Sequence, residues 1–279
     1  MKALRRLWGP RPAGQPQLPA GHRLYAIGDI HGRDDLLQQL LGEIEADHAA
    51  RGPARLVIVF LGDLIDRGPG SAAVVERLRT YRPDGARLVF LAGNHEEVLL
   101  RIVGGEARLV PDWLRFGGVE CLHSYGVDPD RLRAMSPSRA VATVREALPA
   151  AHVQFLRSFE DSFRAGDYLF VHAGIRPGIP LEEQSRTDLR WIREPFLGDR
   201  ADHGFVVVHG HTIREEVEIF QNRIGIDTGA YRYGILTALA LQGTDRWFID
   251  ARQVEKIDST LQRNRPNASA LDGVSGQSG

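Results

Sequence analysis

Two periods alternate along the first hundred residues. "RLYAI" (23–27) is a short apolar run ending at Gly28, and Leu36, Leu37, Leu40, Leu41 and Ile44 then recur at the spacing of one helix face. "RLVIVFL" (55–61) predicts a second buried strand, with Val74, Val75 and Leu78 marking a helix after it. "RLVFLA" (87–92) predicts a third, followed by a helix from about Glu96. Such alternation argues for βαβ units around a largely parallel sheet. Residues 105–165 keep a looser helical pattern, with "DWLRFGG" and "PAAHVQFLRSF" as amphipathic pieces, and read as a helical insert. Strand signals return at "DYLFVHAG" (167–174) and "FVVVHGH" (205–211). The end reads as an antiparallel meander: "VEIF", a turn at Gln221-Asn222, "RIGIDT", "ILTALAL", a turn near Gly243, and "RWFID". The expectation is an α/β fold with two sheets packed together and helices outside.

Residues 1–20 read as a flexible leader and 263–279 as a disordered tail, bracketing one catalytic domain over 21–258 without internal repeat or linker. A formal net charge of -1 and a pI of about 6.8 provide no global field for nucleic acid or an anionic membrane, so neither is an expected partner. Lys2 and Lys256 are the only lysines, which makes any single arginine a weak functional clue. Cys121 is the only cysteine, so an intrachain disulfide is impossible and a reducing compartment is implied. Pro10, Pro12, Pro16 and Pro19 interrupt the basic start, which therefore lacks the apolar core of a signal peptide. No apolar run reaches the ~18 residues of a membrane span. The expected location is cytoplasmic.

The polar clusters share one position. "GDIHG" (28–32), "GDLIDRG" (62–68), "GNHE" (93–96), "HAG" (172–174) and "HGHT" (209–212) each follow a predicted strand. In open α/β sheets the carboxyl ends of strands form the crevice where ligands bind. Gathered there are Asp29, His31, Asp63, Asp66, Asn94, His95, His172, His209 and His211, including five of the chain's ten histidines. Oxygen donors mixed with imidazole suit Mn²⁺, Fe²⁺ or Zn²⁺, and the cysteine count excludes a thiolate zinc site. The donors exceed what one ion takes. Two ions ~3.5–4 Å apart are the arrangement for in-line phosphoryl displacement.

The ordered motifs GDxHG, GDxxDRG, GNHE, HAG and GHT, spread over residues 21–240, resemble the phosphoprotein phosphatase branch of the calcineurin-like metallophosphoesterases. That resemblance implies an αββα sandwich of two mixed sheets. It implies that Asp29, His31 and Asp63 hold a first divalent ion, and that Asp63, Asn94, His172 and His211 hold a second, with Asp63 bridging. Mn²⁺ is the expected metal, with Fe and Zn as alternatives. It further implies direct attack of a bridging hydroxide on phosphorus. His95 would be the general acid, oriented by Asp66, and Arg67 would grip the phosphate together with Asn94. A second phosphate-binding arginine is expected between "HAG" and "GHT"; Arg193 is chosen over Arg190 and Arg200. Many relatives carry a further histidine two residues after the last ligand, where this chain has Ile213, and the phosphoprotein phosphatases share that departure. His209 is placed beside the ligands without a metal. Trp113, Phe116 and Tyr125 are read as helix-core packing in preference to a substrate lid.

Other phosphatase chemistries fail on residues. Six positions after Cys121 stands Val127, where a Cys-x₅-Arg enzyme needs arginine; no apolar strand precedes "DPDRL" (128–132); and no GxxxxGK[ST] loop exists. The expected activity is hydrolysis of phosphoserine and phosphothreonine in a phosphoprotein or phosphopeptide, favoured by Asp66 and by Glu96. The alternative is a symmetrical dinucleoside tetraphosphate hydrolase, whose family shares "RGPGS" and "HAGI". The insert's Arg131, Arg133, Arg139 and Arg145 are interrupted by apolar residues and Pro137, which argues against a polyphosphate lining and for a tenfold preference for phosphopeptides. A catalytically idle relative is a third reading, opposed by the presence of every expected ligand.

Overall fold

The structure, a computed structural model, describes residues 14–253; the expected tail lies outside them. The chain opens with β1 (His22–Ile27), α1 (Asp34–Ala50), β2 (Arg55–Phe60), α2 (Ser71–Thr80), β3 (Arg87–Phe90) and α3 (Asn94–Val103). The insert contributes α4 (Val110–Trp113), α5 (Val119–Ser124), α6 (Pro129–Arg133), α7 (Pro137–Ala147) and α8 (Ala150–Arg157). There follow β4 (Ser162–Ala165), β5 (Tyr168–Val171), α9 (Arg186–Trp191), β6 (Val206–His209), β7 (Glu218–Ile219), β8 (Arg223–Gly225), α10 (Ala230–Tyr233), β9 (Ile235–Gln242) and β10 (Asp245–Arg252).

Two mixed five-stranded sheets result, in the orders β10-β9-β1-β2-β3 and β4-β5-β6-β8-β7. In the first, β1, β2 and β3 run parallel and β9 and β10 antiparallel. In the second, β5, β6 and β8 are parallel, edged by antiparallel β4 and β7. The period of two along each strand divides the core. Leu24, Ala26, Val57, Val59, Leu239 and Leu241 of the first sheet, with Leu61 after β2, meet Tyr168, Phe170, Val206 and Val208 of the second. Tyr25, Ile27, Ile58 and Phe60 face α1, α2 and the insert, while Leu169, Val171 and Val207 face Leu189 of α9 and Phe196. Burial on both faces is why these strands read as unbroken apolar runs.

Three expectations are corrected. The final meander is two hairpins in different sheets: β7–β8 joins the second sheet, with β8 parallel to β6, and β9–β10 joins the first beside β1. Strand β4, "SFRA", carried too short and polar a pattern to be read as one. The described end of the leader is packed: Leu18 is buried between the sheets and its N–H donates to Gly243 O at 2.8 Å, while Gln17 N–H donates to the Asp167 carboxylate at 3.0 Å. One apolar side chain among the prolines suffices to seat that segment.

Candidate active site

The loops after β1, β2 and β3 meet those after β5, β6 and β8, and hydrogen bonds cross between the two sheets there. His172 Nδ1 contacts Leu61 O at 2.8 Å, and His211 N–H donates to both Asp29 carboxylate oxygens at 3.2 and 3.0 Å. His95 N–H donates to Asp63 Oδ1 at 3.1 Å. Among the described residues, five other than glycine have positive φ: His31, Asp63, Asp66, Arg67 and His211, between 45° and 71°. All five belong to the site. Left-handed backbone at such residues costs energy, and its confinement to one place marks a functional constraint. Gly93 meets the same constraint by close approach, since a Cβ there would lie 2.1 Å from Asp63 Oδ1.

Glu96 holds this geometry. Its buried carboxylate accepts from the N–H groups of Asp63 (2.9 Å), Leu64 (2.8 Å) and Gly93 (3.0 Å), tying the β2 loop to the start of α3. Burial, then the Asp63 charge, raises its pKa to about 7. The sequence used Glu96 only to choose between families; its part is to fasten two loops.

The donor set fits cations. His31, Asp63 and His95 form one compact buried group, and Asp63, His172 and His211 another, so Asp63 is common to both. Asp63 Oδ2 lies 3.6 Å from His31 Nε2 and 3.4 Å from His172 Nε2. His31 Nδ1 faces Ile65 O at 2.8 Å, which leaves its Nε2 buried without a hydrogen-bond partner, as is His211 Nε2. An imidazole that gives Nδ1–H to a carbonyl presents the Nε2 lone pair a metal needs. His172 is the sharper case. With its Nδ1 proton on Leu61 O, its Nε2 faces Asn94 Oδ1 at 3.0 Å, two acceptors that a shared cation reconciles. Without one, an extra proton does so: burial lowers the pKa of His172, but the Asp63 charge and hydrogen bond outweigh it and hold it above the ordinary value. Asp29 adds a buried carboxyl pushed well up by burial and by Asp227 and Asp63, a crowd of acids that calls for positive charge. Asp29, His31 and Asp63 would hold one ion, and Asp63, Asn94, His172 and His211 the other.

Beside this set, Asp66 is fully buried and its Oδ2 accepts from His95 Nδ1 at 2.6 Å. Burial disfavours the imidazolium, but the Asp63 charge and the Asp66 hydrogen bond together keep the His95 pKa above normal. Arg67 Nη2 lies 3.1 Å from His95 Nε2, and its guanidinium rests 4.9 Å from the ring centre of Tyr231, whose Oη is 3.3 Å from Nη1.

Of the three rival arginines, Arg190 pairs with Asp161 and Glu97, and Arg200 bonds the Leu197 and Asp199 carbonyls and stacks on Phe220. Arg193 is exposed, and after burial and His172 and against Asp63 its charge is among those acting on the lowered pKa of His211. It is the rival with a guanidinium left for phosphate. His209 turns away from the ligands, towards Arg223 Nη1 at 3.3 Å and the Phe196 ring, and burial brings its pKa to about 4. Two site residues escaped the sequence reading. Asp227, after β8, is buried with Oδ2 unpartnered and a pKa raised to about 6 by burial first. It is one more Asp after a strand, the available signal. Tyr231 had none. Phe116 was expected to pack in the helical core and is instead 58% exposed.

A profile of the calcineurin-like phosphoesterase family matches residues 22–235. A bis(5'-nucleosyl)-tetraphosphatase (asymmetrical) of Halalkalibacterium halodurans is 26% identical over 81% of this chain and 93% of its own length. The serine/threonine-protein phosphatase 1 of Salmonella typhimurium is 29% identical over 78% and 92%, and a symmetrical bis(5'-nucleosyl)-tetraphosphatase of Nitrosococcus oceani 28% over 84% and 99%. A crystal structure with a provisional diadenosine tetraphosphatase assignment shares the fold at a TM-score of 0.59, with 21% identity over 84% of this chain and 96% of that one. With the family profile covering β1 to β8 and the candidate metal-holding groups at the edge where the two sheets meet, the chain belongs to the calcineurin-like phosphoesterases and is a phosphoester hydrolase.

Proposed function

We propose that this chain hydrolyses dinucleoside tetraphosphates. The observation that carries this reading is a pair of clefts that share Arg67 and Tyr231. One, of about 870 Å³, is lined by Arg252, by Arg33 with its partner Asp35, by Asp34 and by the backbone of Gly32, Gly68 and Gly70; the other, of about 410 Å³, by Arg115, Phe116, Gly117 and Glu120. A substrate extending both ways from its scissile phosphate needs two such arms, whereas a phosphoserine side chain needs one. Arg252 pairs with Asp250 at the surface, an exchangeable partner worth little. The insert's Arg131, Arg133, Arg139 and Arg145 line neither cleft, whereas Arg115 lines the smaller one, its own surface pair with Asp112 being as exchangeable as that of Arg252. Two of the relatives above carry tetraphosphatase names. The second reading, a phosphoserine/phosphothreonine protein phosphatase, is supported by the Asp66–His95 pair, by Glu96 and by the likeness to the Salmonella enzyme.

Bound divalent cations supply charge neutralisation and a nucleophile derived from water. Arg67 and Arg193 grip the non-bridging oxygens and hold the phosphorus in line. An arriving phosphate oxygen competes with His95 Nε2 for the Arg67 donor, which frees that nitrogen to take up a proton from water and then pass it to the departing oxygen, leaving the imidazole neutral. Asp66 holds the ring in the orientation that aims it. Turnover of diadenosine tetraphosphate should exceed that of a phosphoserine peptide at least tenfold in kcat/KM, roughly 1.4 kcal/mol of transition-state binding. The opposite ratio returns the chain to the second reading.

Exhaustive chelation should abolish turnover and Mn²⁺ restore it, while thiol alkylation leaves it intact. Cys121 is 1% exposed and burial pushes its thiol well above the ordinary range, so it is neither accessible nor nucleophilic. Full activity after chelation would overturn the metal-dependent chemistry.

A further inference from the structure

Trp113 lies at the last position of α4, 47 residues from Asp66 in sequence, and its indole Nε1–H donates to Asp66 Oδ2 at 2.9 Å in a buried setting. The same oxygen receives His95 Nδ1 at 2.6 Å, while Asp66 Oδ1 has no hydrogen-bond partner. A carboxylate held by His95 alone could rotate and exchange its two oxygens. The second donor, arriving from another direction, fixes the plane in which Oδ2 presents its lone pair to the imidazole.

The following turn, 114–118, is shaped around this contact. Gly117 has φ 120°, and a Cβ there would lie 2.5 Å from Arg67 Cγ, while Gly117 O accepts Arg67 N–H at 3.0 Å. A Cβ on Gly118 would lie 2.5 Å from the Trp113 ring. One short stretch of the insert thus seats an indole on the partner of His95 and a backbone carbonyl on Arg67.

We propose that Trp113 is a positioning residue for proton donation, holding Asp66 so that His95 stays aimed at the departing oxygen. The inference rests on the proton-donor reading of His95 but not on which substrate the enzyme prefers. It gives the helical insert a part in the chemistry beyond packing, although Trp113 also belongs to the helical core.

The test compares wild type, Trp113→Phe, His95→Asn and the double variant, each as the full chain loaded with Mn²⁺. Substrates are a phosphoserine peptide, whose alkoxide leaves only with a proton, and p-nitrophenyl phosphate, whose phenolate leaves without one. Trp113→Phe should lower kcat on the peptide ~10–100-fold, the effect of one hydrogen bond to a charged group. On the aryl ester kcat should change less than ~3-fold, with KM and metal content unchanged. In the His95→Asn background the substitution should add no further loss. Replacing Trp113 by its benzothienyl isostere, which keeps the volume and lacks only the N–H, should reproduce the pattern even if the Phe variant folds poorly. In metal-free protein the Trp113 indole proton should resonate downfield and move upfield in Asp66→Ala. Equal losses on both esters, a loss that persists without His95, or an indole shift indifferent to Asp66 would overturn the proposal. If His95→Asn itself shows no dependence on the leaving group, the proton-donor reading fails first and the Trp113 proposal falls with it.

Discussion

Asp63→Asn should lose paired metal binding and turnover together. Elemental analysis after dialysis should find fewer than two Mn²⁺ per chain, and kcat should fall by more than ~100-fold, beyond the ~10–100-fold typical for residues that only support a ligand. Asp63 Oδ2 lies within 3.4–3.6 Å of His172 Nε2 and His31 Nε2, and Asp63 belongs to both groups able to hold an ion. An amide of the same shape keeps the packing but removes the negative charge. It also turns a donor or a weaker acceptor toward His172 Nε2 and toward His31 Nε2, which has no hydrogen-bond partner. Because bound metal stabilises the folded chain by mass action, added Mn²⁺ should raise the wild-type Tm more than that of the variant. That readout is independent of catalysis. Two tightly held ions with near wild-type turnover would end the bridging role.

His95→Asn should keep both ions and lose rate in proportion to the need for a proton. On a phosphoserine peptide the loss should be ~10²–10⁴-fold, the usual contribution of general acid catalysis. It should shrink for p-nitrophenyl phosphate and for diadenosine tetraphosphate, since a phenolate and a nucleotide phosphate are both stable leaving groups. His95 Nε2 is 3.9 Å from Asp63 Oδ2 and falls within one of the compact donor groups, so loss of an ion in this variant would make it a ligand instead. Uniform loss across the three substrates with two ions retained would remove it from the acid role. Asp66→Asn should show a smaller loss of the same kind, because the imidazole survives with a weaker partner.

The local pattern was sufficient for the scaffold and for most of the donor set. Strands buried on two faces must be unbroken apolar runs, their helices must repeat every three to four residues, and a sharp turn after each strand admits only Gly, Asp, Asn and a few polar neighbours. Asp29, His31, Asp63, Asn94, His172 and His211 stand at those turns, so their positions were legible from "GDIHG", "GD", "GNH", "HAG" and "GH". Helix and strand identity are decided within a dozen residues, but partnership is not. Whether "RIGIDT" pairs with "ILTALAL" or crosses to β6 depends on which sheet has an open edge, and the chain settled that by burying Ile224 and Ile226 between the sheets. Arg193, Arg190 and Arg200 are equivalent in sequence, and their partners separated them: Asp161 and Glu97 for Arg190, the Leu197 and Asp199 carbonyls and the Phe220 ring for Arg200. Trp113, Tyr231 and Asp227 reach the site from 47 residues to over 160 residues away, through one hydrogen bond, one ring face and one buried charge. Such contacts leave no periodic trace, because a single long-range bond constrains one side chain and not the spacing around it. The sequence by itself therefore determined which acids, amides and imidazoles stand at the strand ends, and only the folded chain decided what orients them.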